Sequence, residues 1–436
     1  MRCFFAILAI PCFAQVEIAT FDTTPPAFEL LSPATYEICW DMNWSPYSGG
    51  QDLLFALRLI EKGETTLLEK SSIAYSKSMQ ARTFRLSELM ALWLPLNWLA
   101  ILVQHEVFGH GYRIRDMKGA YVTGYAFDAP PPYGEGGAVT YYAIQSNITT
   151  TQESANAIAG VEANAILAQL TKLKWLEAST VDPRQSILYL LSEQDLTLYI
   201  STLEDPDIDL DGHDLTAYVQ TLNQTYPDTL LTTGRLKALA WINLADPLTY
   251  YALYSWFRYL SSGKETPLPM IANCYLPNLR LGLTPFGPEI FLENYFALRT
   301  PNQLARPLYA YLKAGRHADN TYLGLGAFAP RLWTHNDWAL GLRIDLWRQP
   351  KLLLLPGSTP FFDIDFHDTP SPNNPLYPSS QRHAVRYGGA ASLLIWRRLY
   401  KIWGVEGEFG YKAQGFLPGY SLKAYPTLRL AYSLAF

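Results

Sequence analysis

The sequence predicts an α+β fold: a mostly helical portion over residues 15–265, followed by an antiparallel, outer-membrane-type β-barrel over residues 266–436. Three observations predict it. Between about Gln152 and Leu260, apolar residues recur at helical spacing in Ala- and Leu-rich runs. From about Ile271 onward the period drops to two, with one face apolar or aromatic and the other mixing charged and small residues. Turn clusters separate about eight such segments, each of roughly ten residues, the length of a membrane-crossing strand.

Bulk properties narrow the field. At 436 residues the chain is long enough for two domains or one large one. A net charge of −5 and the lack of a basic stripe exclude a nucleic-acid surface. Charged residues make up only 17 % and aromatics as much as 14 %, which fits extensive burial or interfacial aromatic belts. The opening "MRCFFAILAIPCFAQ" reads as a signal peptide over residues 1–14. Arg2 is its positive end, Phe4 to Phe13 an apolar core too short to span a bilayer, and Ala14 the small residue before cleavage. A lipoprotein signal needs a small residue before Cys12, where Pro11 stands. Removal of the signal leaves Cys39 and Cys274, which could pair in an oxidising compartment.

Residues 16–84 are mixed, with turn signals ("TTPPAF", "SPYSGG") and a helix expected from Gln51 to Lys62. Leu86 to Val103 has the length of a membrane-spanning helix, but Glu88, Pro95 and Asn97 favour a buried helix that supports a site. After Gly111, two strands are expected around a Pro/Gly turn. The helical block follows, with later helices at Pro183–Gln194, Asp214–Gln224 and Leu236–Leu260, the last interrupted near Pro247. In the β portion, Trp338, Leu340, Leu342, Ile344 and Leu346 alternate with Ala339, Gly341, Arg343 and Asp345. Likewise Val405, Gly407, Phe409 and Tyr411 alternate with Glu406, Glu408, Gly410 and Lys412.

The final "TLRLAYSLAF" places Leu428, Leu430, Tyr432, Leu434 and Phe436 on one face. It resembles the C-terminal strand of Gram-negative outer-membrane barrels, which implies an outer-membrane location and contact with its lipid. A barrel of about eight strands is too narrow to enclose the helices. Either the helical portion stands outside it, or strands near Tyr121 and Tyr141 enlarge it.

The segment "ILVQHEVFGHGYR" carries the chemistry. On a regular helix His105 and His110 lie about 140° apart, because five residues turn about 500°. A π turn brings His110 back beside His105; such turns are rare and often sit at functional sites, and Gly109 eases the distortion. "HEVFGHG" resembles the H-E-x-x-G-H motif of the dipeptidyl peptidase III family of zinc peptidases. The resemblance covers this heptapeptide and one further glutamate, and it implies site chemistry rather than fold or dipeptide-releasing specificity. It implies that His105 and His110 bind Zn2+, that Glu106 activates water, and that a glutamate on a later helix is the third ligand. Glu162 in "IAGVEANAIL" is the candidate. The residue chemistry agrees: zinc takes imidazole and carboxylate ligands, and an unpaired carboxylate on an Ala-rich helix is costly when buried. Glu153 is a rival third ligand, near a helix start where it could instead oppose the helix dipole. The structural alternative is a buried His–Glu hydrogen bond without metal.

A second polar cluster, "DPDIDLDGHD", matches the opening of a calcium loop at Asp207, Asp209, Asp211 and Gly212, but Tyr218 stands where the bidentate glutamate belongs. An acidic loop whose Asp211 or Asp214 caps "LTAYVQTLN" is the simpler reading; His213 could instead reach the metal site as a donor. "GGAVTYYAI" permits a strand that pairs with an extended peptide if its edge is exposed. The "NIT" triplet at Asn147 is read as chance in a bacterial protein. The expectation is a zinc-dependent hydrolase, a peptidase acting on peptide or protein, in the outer envelope. The alternatives are a non-enzymatic channel or adhesin with a structural His–Glu cluster, or a hydrolase of envelope lipid or glycan.

Overall fold

The computed structural model describes residues 35–68, 77–144, 148–204, 213–298, 305–353, 376–400 and 402–435. The expected signal peptide, residues 205–212 of the acidic loop, Asn147 of the "NIT" triplet and Phe436 lie outside them.

The described chain opens with β1 (Thr35–Asp41) and α1 (Pro46–Leu68). One helix of 38 residues, Met79–Asp116, follows. Its α-helical parts are α2 (Met79–Glu88), α3 (Leu94–His105) and α4 (Gly111–Asp116), joined by π turns at Leu89–Trp93 and Glu106–His110. Pro95 lacks an N–H and crowds the carbonyl one turn back; that carbonyl, Ala91 O, accepts instead from Tyr133 Oη at 2.8 Å. β2 (Ala120–Phe127) and β3 (Ala138–Ile144) pair only with each other among the described residues, so they do not enlarge the main sheet. The helical block comprises α5 (Thr150–Ala157), α6 (Ala159–Ala178), α7 (Ser186–Ser201), α8 (Asp214–Thr225), α9 (Thr233–Ala240) and α10 (Pro247–Ser262). Thr149 and Gln152 form a capping box at the start of α5. Pro247 occupies the first turn of α10, where its missing N–H costs nothing, and Asp246 caps Leu248 N and Thr249 N. Two short strands, β4 (Thr180–Val181) and β5 (Thr266–Pro267), pair beside α10.

The β portion runs β6 (Tyr275–Thr284), β7 (Gly287–Leu298), β8 (Arg306–His317), β9 (Asn320–His335), β10 (Trp338–Pro350), a short α11 (Ser379–Arg382), β11 (Val385–Tyr400), β12 (Trp403–Lys412) and β13 (Tyr425–Ala435). These form an antiparallel meander, and β1 adds beside β13 to give nine strands in the order β1-β13-β12-β11-β10-β9-β8-β7-β6. β1 and β6 are the edges; the pairing between them that would close the expected barrel is not found among the described residues. Neither edge is bare. Cys39 N of β1 donates to Asp52 Oδ1 of α1 at 2.7 Å, and Leu281 N of β6 donates to Asn243 Oδ1 at 2.6 Å. No disulfide joins Cys39 and Cys274.

The sheet has its polarity inverted relative to a water-soluble one. Its exposed face carries Leu312, Leu325, Leu346, Leu393, Phe409 and Leu430, the last 53 % exposed. Its buried face carries Arg280, Glu289, Glu293, Lys313, Asp345, Glu408 and Arg429. All but Asp345 are in ion pairs, for example Lys313 with Glu289 at 3.0 Å and Arg429 with Glu408 at 2.8 Å; Asp345 accepts from Tyr311 Oη at 2.7 Å. Helices pack on this inner face. α6 is buried on every side, and its Lys172 meets Glu193 at 3.1 Å. One apolar cluster unites α1, α3, α6, α7 and α10 with residues of β1, β6, β7 and β8, so the helical and β portions share a core.

The long helix departs from the expectation of a buried one. Only 39 % of its most apolar stretch is buried. Arg85, Glu88, Asn97 and Gln104 point inward, while Phe84, Leu86, Met90, Leu92 and Leu99 are exposed.

Candidate metal centre

The site is assembled by the second π turn. Over Glu106–His110 the extra residue per turn stacks His110 above His105, and their ring centroids lie 5.0 Å apart. Two glycines permit this. At Gly109 a Cβ would lie 2.7 Å from Ala159 O, so only glycine lets the turn press against the start of α6. At Gly160 a Cβ would lie 2.1 Å from His105 Nε2, so the imidazole occupies the space its absence leaves.

Both imidazoles converge on one carboxylate. Asp214 Oδ2 lies 3.1 Å from His110 Nε2 and 3.4 Å from His105 Nε2. Ligand atoms of His105, His110 and Asp214 all fall within 4.8 Å of one another, the group among the described residues that could hold a metal ion. Both histidines are buried. Burial works to raise the Asp214 carboxyl, but His110 and His105 beside it prevail and hold it well below the usual carboxylate range. His105 is supported from behind: its Nδ1 lies 3.5 Å from Asp195 Oδ2, and Asn164 of α6 donates to that same oxygen at 2.8 Å. Without an ion both imidazoles, despite their burial, favour the protonated form beside Asp214; loss of the Nε2 proton of His105, with Nδ1–H kept on Asp195, would expose an Nε2 lone pair, the arrangement that metal-binding histidines use. Tyr199 Oη lies 3.3 Å from Asp214 Oδ2. Two neutral imidazoles and a carboxylate are a donor set that zinc accepts with one position left open.

Glu106 is buried in the same turn, and its Oε2 accepts from Thr140 Oγ1 of β3 at 2.6 Å. Glu162, the expected third ligand, is engaged elsewhere. Its Oε1 accepts from Arg113 Nη2 at 2.5 Å and from Gly419 N at 2.6 Å. The physical reason is Arg113: a guanidinium 1 % exposed requires a carboxylate, and Glu162 is the one it has. Asp214 does not cap its helix either; His213 is the N-cap, its Nδ1 accepting from Thr216 N. Glu153, the rival, has a buried carboxylate oxygen without a hydrogen-bond partner and is not one of the three convergent residues. Sequence reasoning singled out "DPDIDLDGHD" but made Asp214 a candidate helix cap and His213 the residue that could reach the metal site; the structure has the two roles the other way round.

A cavity on the opposite side of α6, lined by Glu162, Glu289, Arg343 and Asp345, contains none of His105, Glu106, His110 or Asp214. Among the described residues, ligand atoms converge on one point in the cluster and not in the cavity. Searches among protein families, curated proteins and solved structures find no match to this chain.

Proposed function

We propose that this chain is a metal-dependent hydrolase of the bacterial outer envelope, acting on a peptide bond, with His105, His110 and Asp214 holding zinc. The observation that carries the reading is the convergence of two imidazoles and a carboxylate, with Glu106 in the same π turn. Zinc supplies a Lewis acid that polarises a carbonyl. Glu106 is the general base: the Thr140 hydroxyl fixes one of its oxygens, and the other takes a proton from water and returns it to the leaving amine. Asp195 and Asn164 hold the tautomer and orientation of His105. A peptide substrate is supported by β3. It pairs with β2 alone among the described residues, which leaves its other edge for an extended chain, and Thr140 sets that strand against the base.

The outer-membrane location is supported by the inverted polarity of the sheet, apolar outward and charged inward, which is the pattern of a barrel wall in lipid. The likeness of "HEVFGHG" to the dipeptidyl peptidase III motif adds to the zinc reading with the third ligand replaced.

The test is metal analysis and peptide hydrolysis on purified protein. Expected are one equivalent of zinc, its loss in His110→Ala, and in Glu106→Gln retained zinc with activity reduced by roughly 10²–10⁴-fold. A second reading draws on hydrogen bonds donated by both imidazoles to Asp214 Oδ2, which satisfy the cluster without an ion. It is a non-enzymatic channel or adhesin, and a metal-free native protein as stable as the zinc-loaded one supports it. Product analysis with lipid and glycan substrates distinguishes a peptidase from another envelope hydrolase.

A further inference from the structure

From Thr83 to Phe108 the long helix exposes no charged group. Its charged side chains here, Arg85, Glu88 and Glu106, are all buried, while Phe84, Leu86, Met90, Leu92 and Leu99 face outward. At 1.5 Å per residue this stretch measures roughly 40 Å, more than the ~30 Å hydrocarbon thickness of a bilayer. α10 repeats the pattern. Tyr250, Tyr251, Leu253, Tyr254 and Phe257 are exposed, and its single charged residue, Arg258, is half-buried. A helix on a water-soluble protein places its charges outward; both of these have the inverted order already seen in the sheet.

These helices also lie where the sheet stops. β1 packs on α1, α1 on α3, α2 on α10, and the short 3₁₀ turn Trp241–Ala245 that leads into α10 packs on β6. The α2–α10 contact is specific: Arg85 Nη2 donates to Leu260 O at 2.9 Å, and Tyr259 Oη donates to Glu88 at 2.9 Å. A path of contacts therefore runs from one sheet edge to the other, through α1, which exposes Lys62, and then through the long helix and α10, whose outer faces are apolar.

We propose that the long helix and α10 are lipid-facing staves that complete the wall between β1 and β6, with acyl chains as their partner. The inference rests on the outer-membrane reading, extending it from the strands to the helices. It places the metal centre at one end of the apolar stretch, because His105 and His110 lie two and seven residues beyond Val103.

The test uses nitroxide labels at single cysteines, in protein whose four native cysteines are serine, reconstituted in vesicles of phosphatidylethanolamine and phosphatidylglycerol. Leu92→Cys and Leu99→Cys report the long helix, Phe257→Cys reports α10, Leu430→Cys the strand wall, and Lys237→Cys an exposed polar reference. Accessibility to oxygen relative to chromium oxalate is measured at each. Expected is a ratio at the helix positions equal to that at Leu430→Cys and several-fold above Lys237→Cys. A lipid-like ratio at Leu430→Cys with water-like ratios at all helix positions overturns this inference and leaves the membrane reading standing. Water-like ratios everywhere overturn both. Two independent positions on the long helix keep the test decisive if one variant does not fold.

Discussion

Gly160→Ala separates folding from metal binding. A Cβ at Gly160 falls 2.1 Å from His105 Nε2 and 2.3 and 2.4 Å from two ring carbons. Ordinary carbon contacts are about 3.5–4.0 Å, so the imidazole or the start of α6 must give by more than ~1 Å. The helix itself favours alanine by about 1 kcal/mol, while overpacking costs about 1–3 kcal/mol. The fold therefore loses at most ~2 kcal/mol. Zinc affinity suffers more, because the displaced ring is one of three ligands. Disturbing only the groups behind a ligand costs roughly 10–100-fold, and moving the ligand costs at least that. The assay is competition with a fluorescent zinc chelator, beside urea unfolding of the same preparation. A folded Gly160→Ala protein that binds zinc as tightly as the native one refutes the assignment of His105.

Three further outcomes are expected. Asp214→Ala abolishes tight zinc binding, whereas Glu162→Gln retains it but destabilises the protein by about 3–5 kcal/mol, since Arg113 keeps its buried charge without a carboxylate; zinc titration and urea melts of both variants check this, and a folded Glu162→Gln without zinc contradicts it. Asp195→Ala weakens zinc by roughly 10–100-fold by removing the acceptor behind His105, as isothermal titration will read. Burial pushes the Glu153 carboxyl up to about 7. With the folded value above the unfolded one, the neutral form favours folding at low pH, and that contribution is lost as pH rises from about 4.5 through 7, by up to ~3 kcal/mol. Glu153→Gln is then more stable than the native protein at pH 8 and equal to it at pH 4 in urea unfolding; equal stability at both contradicts the burial argument.

Much of the sheet was legible because an apolar exposed face and a polar packed face force a period of two. Trp338 to Leu346 and Val405 to Tyr411 face as their alternation says. The π turn was legible too, since histidines five apart can meet only if the helix gains a residue. The long helix was misread because hydropathy does not distinguish a side chain covered by protein from one left outside: Leu92 and Leu99 look the same either way. Its inward polar residues, Arg85, Glu88, Asn97 and Gln104, were the overlooked sign. Glu162 was an economical third ligand in one dimension, but a single buried arginine three residues past His110, Arg113, claims it. Asp214 arrives from α8, a distant segment, and only tertiary packing brings it to the histidines. β1 went unseen because "TYEICWD" is seven residues long, within a stretch of mixed composition.

The partnership of β1 with β13 dictates an order of assembly. Asp41 sits opposite Arg429, 388 residues along the chain. Bringing such distant segments together costs ~5 kcal/mol in loop-closure entropy by logarithmic scaling, and contacts of this range form slowly. The first strand must wait, unzipped, for nearly the whole polypeptide to arrive. The meander from β6 to β13 can form through neighbouring hairpins, and docking of β1 beside β13 is then expected to come late.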